Sequence, residues 1–360
     1  MLHLILSTAF AQEPLQLELA RRVPVTSAES MAMGSAGIGL AWGAKGTFFN
    51  PAAPAVQRTN HPGPFGVSGV LSLSSALVLT GQEDRPLTEG LVETRLDLGV
   101  GSRLGRFGTG AVFTTLQEAG PQGDLIYSEG HVVGAAQLPF GAVGVGVRLA
   151  NAALRLPDLP NVSYAGAGFQ MGTLITTLDG GVNVGASFRS RVIARRWQDV
   201  DWAPETAVAP WEIGFGVSKV DDAPWPRPWP MRVALDLVVE GPVDDAAALE
   251  GVLVASEWIA TGDTVTMSPR GGLELEVIDE RLRVRSGAWR EAARLRTLDG
   301  TWHATGGLEL RVYHFEVGSF SRDLALEFAV DHGAGFTNVN WITLGFWDSG
   351  QVEGARPFKP

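Results

Sequence analysis

From residue 65 to residue 347 the chain alternates aliphatic residues with polar, charged or small ones at a spacing of two. Only a β-strand puts every second side chain on one face, so this period excludes a helical fold for most of the chain. Val92, Thr94, Leu96, Leu98 and Val100 oppose Glu93, Arg95, Asp97 and Gly99. Val182, Val184, Ala186 and Phe188 oppose Asn183, Gly185, Ser187 and Arg189. Met231, Val233, Leu235, Leu237 and Val239 oppose Arg232, Asp236 and Glu240. The same holds for Leu308, Leu310 and Val312 against Glu309 and Arg311, and for Leu324, Leu326, Phe328 and Val330 against Asp323, Glu327 and Asp331.

Read this way, strands fall at 66–82, 91–103, 107–118, 129–138, 142–152, 163–177, 181–193, 210–220, 230–241, 266–278, 281–292, 302–314, 322–332 and 339–347. Fourteen is an even number, as single-chain bacterial barrels require. Every second connection is tight, at Leu104-Gly105-Arg106, Pro139-Phe140-Gly141, Asp179-Gly180, Asp279-Glu280 and Gly318-Ser319-Phe320, except for Asp221–Trp229, which is longer and Pro-rich. The intervening ones, such as Ala119–Ser128, Arg195–Ala209 and Pro242–Val265, are longer and more polar. Short turns at one end and long loops at the other are the asymmetry of an outer-membrane barrel, whereas a soluble sandwich also alternates but does not sort its loops.

If Asp279-Glu280 forms a hairpin turn, Glu276 faces Arg283, Glu274 faces Arg285 and Val277 faces Leu282. This ladder must point into the lumen, because Arg or Lys at mid-bilayer on the lipid face costs roughly 2–4 kcal/mol. Leu273, Leu275, Leu282 and Val284 then meet lipid. Further lumen charges are expected at Arg95, Asp97, Arg189, Arg232, Asp236, Glu309 and Glu327. Trp211, Trp225, Trp229, Trp289, Trp302 and Trp347 fall near strand ends, where aromatic girdles form.

Composition bounds the function. Glycine is 45 of 360 residues, well above the usual share of roughly 7%, and no apolar run approaches the ~18 residues of a membrane helix. A net charge of -11 without a basic stripe excludes nucleic acid as a partner. With no cysteine, disulfides, thiol nucleophiles and Cys-based metal sites are excluded. His3, His61, His131, His303, His314 and His332 make no metal-binding spacing, and neither a phosphate loop nor a nucleophile elbow occurs. The chain is therefore expected to be no enzyme and to hold no metal or cofactor.

Ahead of the strands, residues 1–11 carry a short apolar core and Ala9-Phe10-Ala11, the small-x-small pattern of an export signal. Residues 12–64 follow as a lead-in to the barrel. Within them, Met33 to Ala53 is too apolar and Gly-rich for a solvated linker and too broken for a long helix, with a turn at Asn50-Pro51. Such a segment must be buried against something larger. Its opening, Met33-Gly34-Ser35-Ala36-Gly37, and its close, Phe49-Asn50-Pro51-Ala52-Ala53, resemble the N-terminal signature of the FadL/OMPP1 family of outer-membrane barrels.

That resemblance implies an all-β, fourteen-stranded antiparallel transmembrane barrel over 65–347, in the bacterial outer membrane, with a tail at 348–360. It implies that Met33, Gly34, Ala36, Gly37, Phe49, Asn50, Pro51 and Ala52 form a hatch inside the lumen. A hydrophobic or amphipathic small molecule, fatty-acid-like or aromatic, would bind above the hatch and leave sideways through a defect in the third strand, where Gly108 and Gly110 lie. The final strand, Asn338 to Trp347, looks like the signal read by the barrel-assembly machinery, and outer-membrane lipids would surround the barrel. Two departures bear on the ligand: the expected lid loops, Leu154–Val162 and Arg195–Ala209, are short, and Lys45 follows Gly43-Ala44 where the family often has acidic residues. A barrel of the same shape acting as a scaffold or shuttle for secretion or surface attachment remains the alternative.

Overall fold

The computed structural model describes residues 16–19, 27–56, 65–77, 92–177, 181–221, 229–248, 252–253, 258–292, 300–317, 320–333 and 336–346. Its main body is one sheet of fourteen long staves. These are β1 (Phe65–Leu77), β2 (Val92–Leu104), β3 (Phe107–Gly120), β4 (Gly123–Leu138), β5 (Gly141–Arg155) and β6 (Val162–Thr176). β7 runs Val182–Arg189 and resumes at Val192–Arg196; β8 runs Thr206–Ala209 and resumes at Glu212–Asp221. β9 (Met231–Glu240), β10 (Thr266–Ile278), β11 (Leu282–Glu291), β12 (Thr301–Val317), β13 (Phe320–Gly333) and β14 (Phe336–Phe346) complete it. Each pairs antiparallel with the next, and β14 returns to β1 with Thr343 opposite Ser72 and Gly345 opposite Val70, so the sheet is a closed barrel without a free edge. No helix among the described residues is long and apolar enough to cross a membrane. The crossing is made by strands, which closure leaves without a free edge.

The two faces are as the alternation requires. Val100, Val145 and Leu235 are more than 60% exposed on the outside, while Arg95, Asp97, Arg189, Asp236, Glu309 and Glu327 are buried on the inside. An aliphatic exterior around an ionic interior inverts a soluble protein, and only surrounding hydrocarbon removes such an exterior from water. On β14, Ile342 and Leu344 point out and Thr343 points in.

Several expectations require correction. The connection Ala119–Ser128 is not a loop: β3 and β4 continue to a turn at Pro121-Gln122, with Leu125 and Tyr127 inside. Strands that project past the bilayer need no aliphatic face, so their polar stretch imitates a loop. Likewise β7 and β8 extend through Arg195 and Thr206, leaving 197–205 as the connection. The connection after β9 turns inward, forming short strands Ala246–Ala248 and Ile259–Thr261. The β10–β11 hairpin has a three-residue turn, Asp279-Glu280-Arg281, with Glu280 at φ +52. A bulge at Val277 absorbs the extra residue, so Ile278 rather than Val277 faces Leu282, while Glu276 still faces Arg283. Trp289 lies in no outer girdle: it is buried in the lumen, stacked on His303 at 3.9 Å. Trp229 and Trp302 do face outward, and Trp211 is half-buried. The signal (1–11), the tail (348–360), Asp179-Gly180, Gly318-Ser319, Trp225 and Trp347 lie outside the described residues.

Candidate functional site

Residues 27–56 fill the half of the lumen nearest the short turns. Ser27 caps helix α1 (Ala28–Ala32), accepting from the Ser30 amide at 3.2 Å. Gly34 and Ser35, both at positive φ, end it and turn the chain across the barrel. Helix α2 (Gly43–Thr47) and a 3-10 turn (Ala53–Ala55) follow. Between them the Asn50 side chain accepts from the Ala52 amide at 3.0 Å and donates to Thr173 O of β6 at 2.8 Å. Met33, Gly34, Ala36, Gly37, Phe49, Asn50, Pro51 and Ala52 are all buried in this plug.

The wall meets the plug through glycine. A Cβ on Gly108 would overlap the backbone of Pro54, one on Gly144 that of Pro51, one on Gly185 that of Ile38, and one on Gly272 that of Met33. Gly110 likewise faces Thr47. Gly108 and Gly110 therefore make room for the plug; they do not interrupt the wall, because β3 is in unbroken register with both β2 and β4.

Polar side chains of the wall satisfy the plug backbone. Asp236 Oδ2 accepts from the amides of Gly37 (2.6 Å) and Ile38 (2.7 Å), Thr343 Oγ1 from Ala28 (2.7 Å), and Ser68 Oγ from Ala44 (2.8 Å). Lys45 Nζ reaches Glu29 of the plug at 3.0 Å and also pairs with Glu327 of β13. Behind them stands the expected ladder: Arg285 donates to Glu274 at 2.6 Å, Arg283 donates to Glu276 at 2.9 Å, and both arginines share Glu309. Burial alone would raise the Glu29 carboxyl, but Lys45, Arg285 and Arg232 outweigh it and hold Glu29 well below the usual carboxylate range. Burial would lower Lys45, yet Glu29, Glu327 and Glu309 hold it well above the usual amine range. Among the described residues no group of three or more His, Asp or Glu is placed to hold a metal ion.

The other half of the lumen differs in kind. On the inner face of β4 to β8, Leu125, Tyr127, Leu154, Val162, Tyr164 and Val192 form one apolar surface. Leu17 and Leu19 lie against it, carried by a short strand, Gln16–Glu18, that pairs in parallel with Thr206–Val208 and Ala246–Ala248. Leu253 and Ala203, from the long connections, close it over. This apolar cluster departs from the expectation of charge throughout the lumen. The available signal was Leu149-Ala150-Asn151-Ala152-Ala153-Leu154, a stretch with apolar residues on both faces. At the edge of this cluster Tyr127 OH donates to Glu129 Oε2 (2.7 Å) and Arg148 Nε to Glu129 Oε1 (2.7 Å). Beside Glu129, the His131 ring packs edge-on against Phe48 of the plug at 5.0 Å.

The closed fourteen-stranded barrel has counterparts among solved structures. The chain superposes on the CymD monoaromatic hydrocarbon channel with a TM-score of 0.58 at 14% identity, over 89% of this chain and 96% of that one. For the Pseudomonas putida toluene transporter TodX the values are 0.54, 12%, 93% and 99%. The fold is that of the FadL-type channels. A Pseudomonas aeruginosa FadL homologue gives a TM-score of 0.52 at 11% identity over 90% of this chain and 97% of that one. No protein-family model matches the sequence, and no curated relative does either. The FadL-type likeness thus rests on architecture, and it extends over nearly the full length of the chain.

Proposed function

We propose that the protein sits in the bacterial outer membrane and carries hydrophobic or amphipathic small molecules across it passively, with the N-terminal plug acting as a hatch. The observation that carries this reading is the apolar cluster packed inside a barrel whose lumen is otherwise ionic. Bracing a barrel calls for paired charges; an apolar inner surface invites an apolar guest, whose burial is worth about 25 cal/mol per Å². The channels of the same fold described as passing toluene or monoaromatic hydrocarbons support the same class of cargo. The carrier does no covalent chemistry: the ligand passes the outer connections and takes the place of leader and loop side chains against the apolar inner wall, and the hatch keeps water and ions from following. Outer-membrane lipids and, during biogenesis, the assembly machinery are its expected partners.

Proteoliposomes with lipopolysaccharide in the bilayer test this reading. Loading of the apolar fluorophore N-phenyl-1-naphthylamine should be faster with the protein than without it, and removal of residues 27–56 should add ion conductance. Loading no faster than in empty vesicles would overturn the carrier reading in favour of a scaffold.

A further inference from the structure

The outer surface of the wall has a sharp edge on one side of the barrel. Across β4, β5 and β6 the outward side chains Val132, Val147 and Phe169 stand level and are each about half exposed. The next outward row toward the long connections, Phe113, Gly130, Leu149 and Ala167, is still apolar. The row beyond it is not. Thr115, Ser128, Asn151, Ala165 and Arg195 lie side by side in register on five consecutive staves, β3 to β7. Hydrocarbon contact ends between these two rows, because lipid tails offer the hydroxyls, the amide and the guanidinium no partner.

Beyond that edge Ala153, Ser163 and Ala165 keep the outer surface of β5 and β6 low. Taller side chains stand around it. Trp197, two residues on from Arg195, is tied in by its amide, which donates to Ser163 O at 3.0 Å, and its side chain is 78% exposed. Arg155 lies at the far end of β5, opposite Asp124. Arg155 and Arg195 are both exposed, and neither side chain has a hydrogen-bond or ion-pair partner among the described residues. In a chain of net charge -11, two guanidiniums on one face are thus left without a counter-charge.

We propose that this face is a binding site for a phosphorylated glycolipid of the outer leaflet, of which lipopolysaccharide is the type. Charge complementarity calls for phosphate, which arginine binds through paired N–H groups. The site runs on without a break from the lipid-facing belt, so the phosphate comes on a lipid whose acyl chains lie along Val147 and Phe169. Low side chains flanked by an indole, with Ser128 and Asn151 alongside, fit a sugar ring better than a bare phospholipid headgroup. The site rests on the outer-membrane part of the reading above and is independent of what the lumen carries.

Titration of the detergent-purified barrel against fluorescently labelled lipopolysaccharide tests it. Arg155→Gln with Arg195→Gln should weaken binding roughly 30-fold, from about 1 kcal/mol for each arginine at an anionic lipid surface. Arg106→Gln with Arg281→Gln removes the same charge from exposed turns at the other end and should change nothing. Unlabelled lipopolysaccharide should displace the probe from the parent. Its dephosphorylated form, phosphatidylglycerol and inorganic phosphate should each do so far less well. Heat-modifiable migration checks that each barrel has formed. Unchanged binding by the Arg155/Arg195 variant, or equal weakening by the turn variant, overturns the site. Displacement by phosphatidylglycerol or inorganic phosphate as effective as by lipopolysaccharide overturns the glycolipid assignment. None of these outcomes touches the loading assay above, so the carrier reading stands or falls separately.

Discussion

Asp236 Oδ2 lies 2.6 Å from the amide nitrogen of Gly37 and 2.7 Å from that of Ile38, so one wall carboxylate holds the turn at which the plug crosses the barrel. Both amides are buried and neither can turn to water. Asp236→Ala should leave each unsatisfied at roughly 1–3 kcal/mol per group, loosening the plug while the barrel still forms. Planar-bilayer recordings should then show open events absent from the unsubstituted protein; a quiet trace would mean that the plug is held elsewhere.

The glycine contacts give a sharper contrast. Gly144→Val would drive a side chain into the backbone of Pro51, whereas a Cβ on Gly134 meets nothing within 4 Å. Gly144→Val should therefore make the plug accessible to protease in folded barrels, and Gly134→Ala should not. Equal digestion of the two variants would separate the wall glycines from plug seating.

For Glu29 the pH dependence has a definite sign. Its carboxyl titrates below the unfolded value of about 4.3, so its attraction to Lys45 is fully present above that pH and is lost as the pH falls through the lower, folded value. Lys45 is held above its ordinary range and loses its charge only at strongly alkaline pH. Conductance should stay flat between about pH 5 and pH 8 and rise only in strong acid. Glu29→Gln should remove the acid limb; a step near neutral pH would point to another group.

Arg285 is shared by Glu274 and Glu309 and is almost wholly buried. Arg285→Met should strand both carboxylates and cost on the order of 3–5 kcal/mol, read as a lower urea midpoint for unfolding in detergent. A midpoint unchanged from the parent would show that the ladder fills space without holding the fold.

Leu154 is fully buried in the apolar cluster of the lumen. Leu154→Glu should spare barrel assembly, because the lumen tolerates charge, but lower binding of an apolar probe by about 1.5–3 kcal/mol, roughly 10- to 100-fold. Tryptophan fluorescence quenching by a brominated apolar probe would measure it, and undiminished quenching would place the guest elsewhere.

Much of this architecture can be read from residue order because hydrocarbon outside permits few choices. Val100 and Leu235 had to face lipid, which fixed Asp97 and Asp236 inside, and the Glu274–Arg285 and Glu276–Arg283 pairs followed from one turn. What escaped has physical reasons too. A tryptophan near a strand end suits a girdle or a lumen stack equally, and Trp289 takes the second. Inward glycines read as weak points in a strand until the chain that presses against them is seen, as at Gly108. The apolar cluster lies where both faces are apolar, so alternation carries no information there. Pro210 reads as a loop boundary, although β8 continues on either side of it.

The short strand Gln16–Glu18 sits at the long-connection end of the barrel, while the plug and the start of β1 lie at the opposite end. The described residues ahead of the first stave thus lie at both ends of the bore. The β14–β1 seam fastens the hoop around them, so the stopper and its cask share one continuous chain and neither can be exchanged without the other.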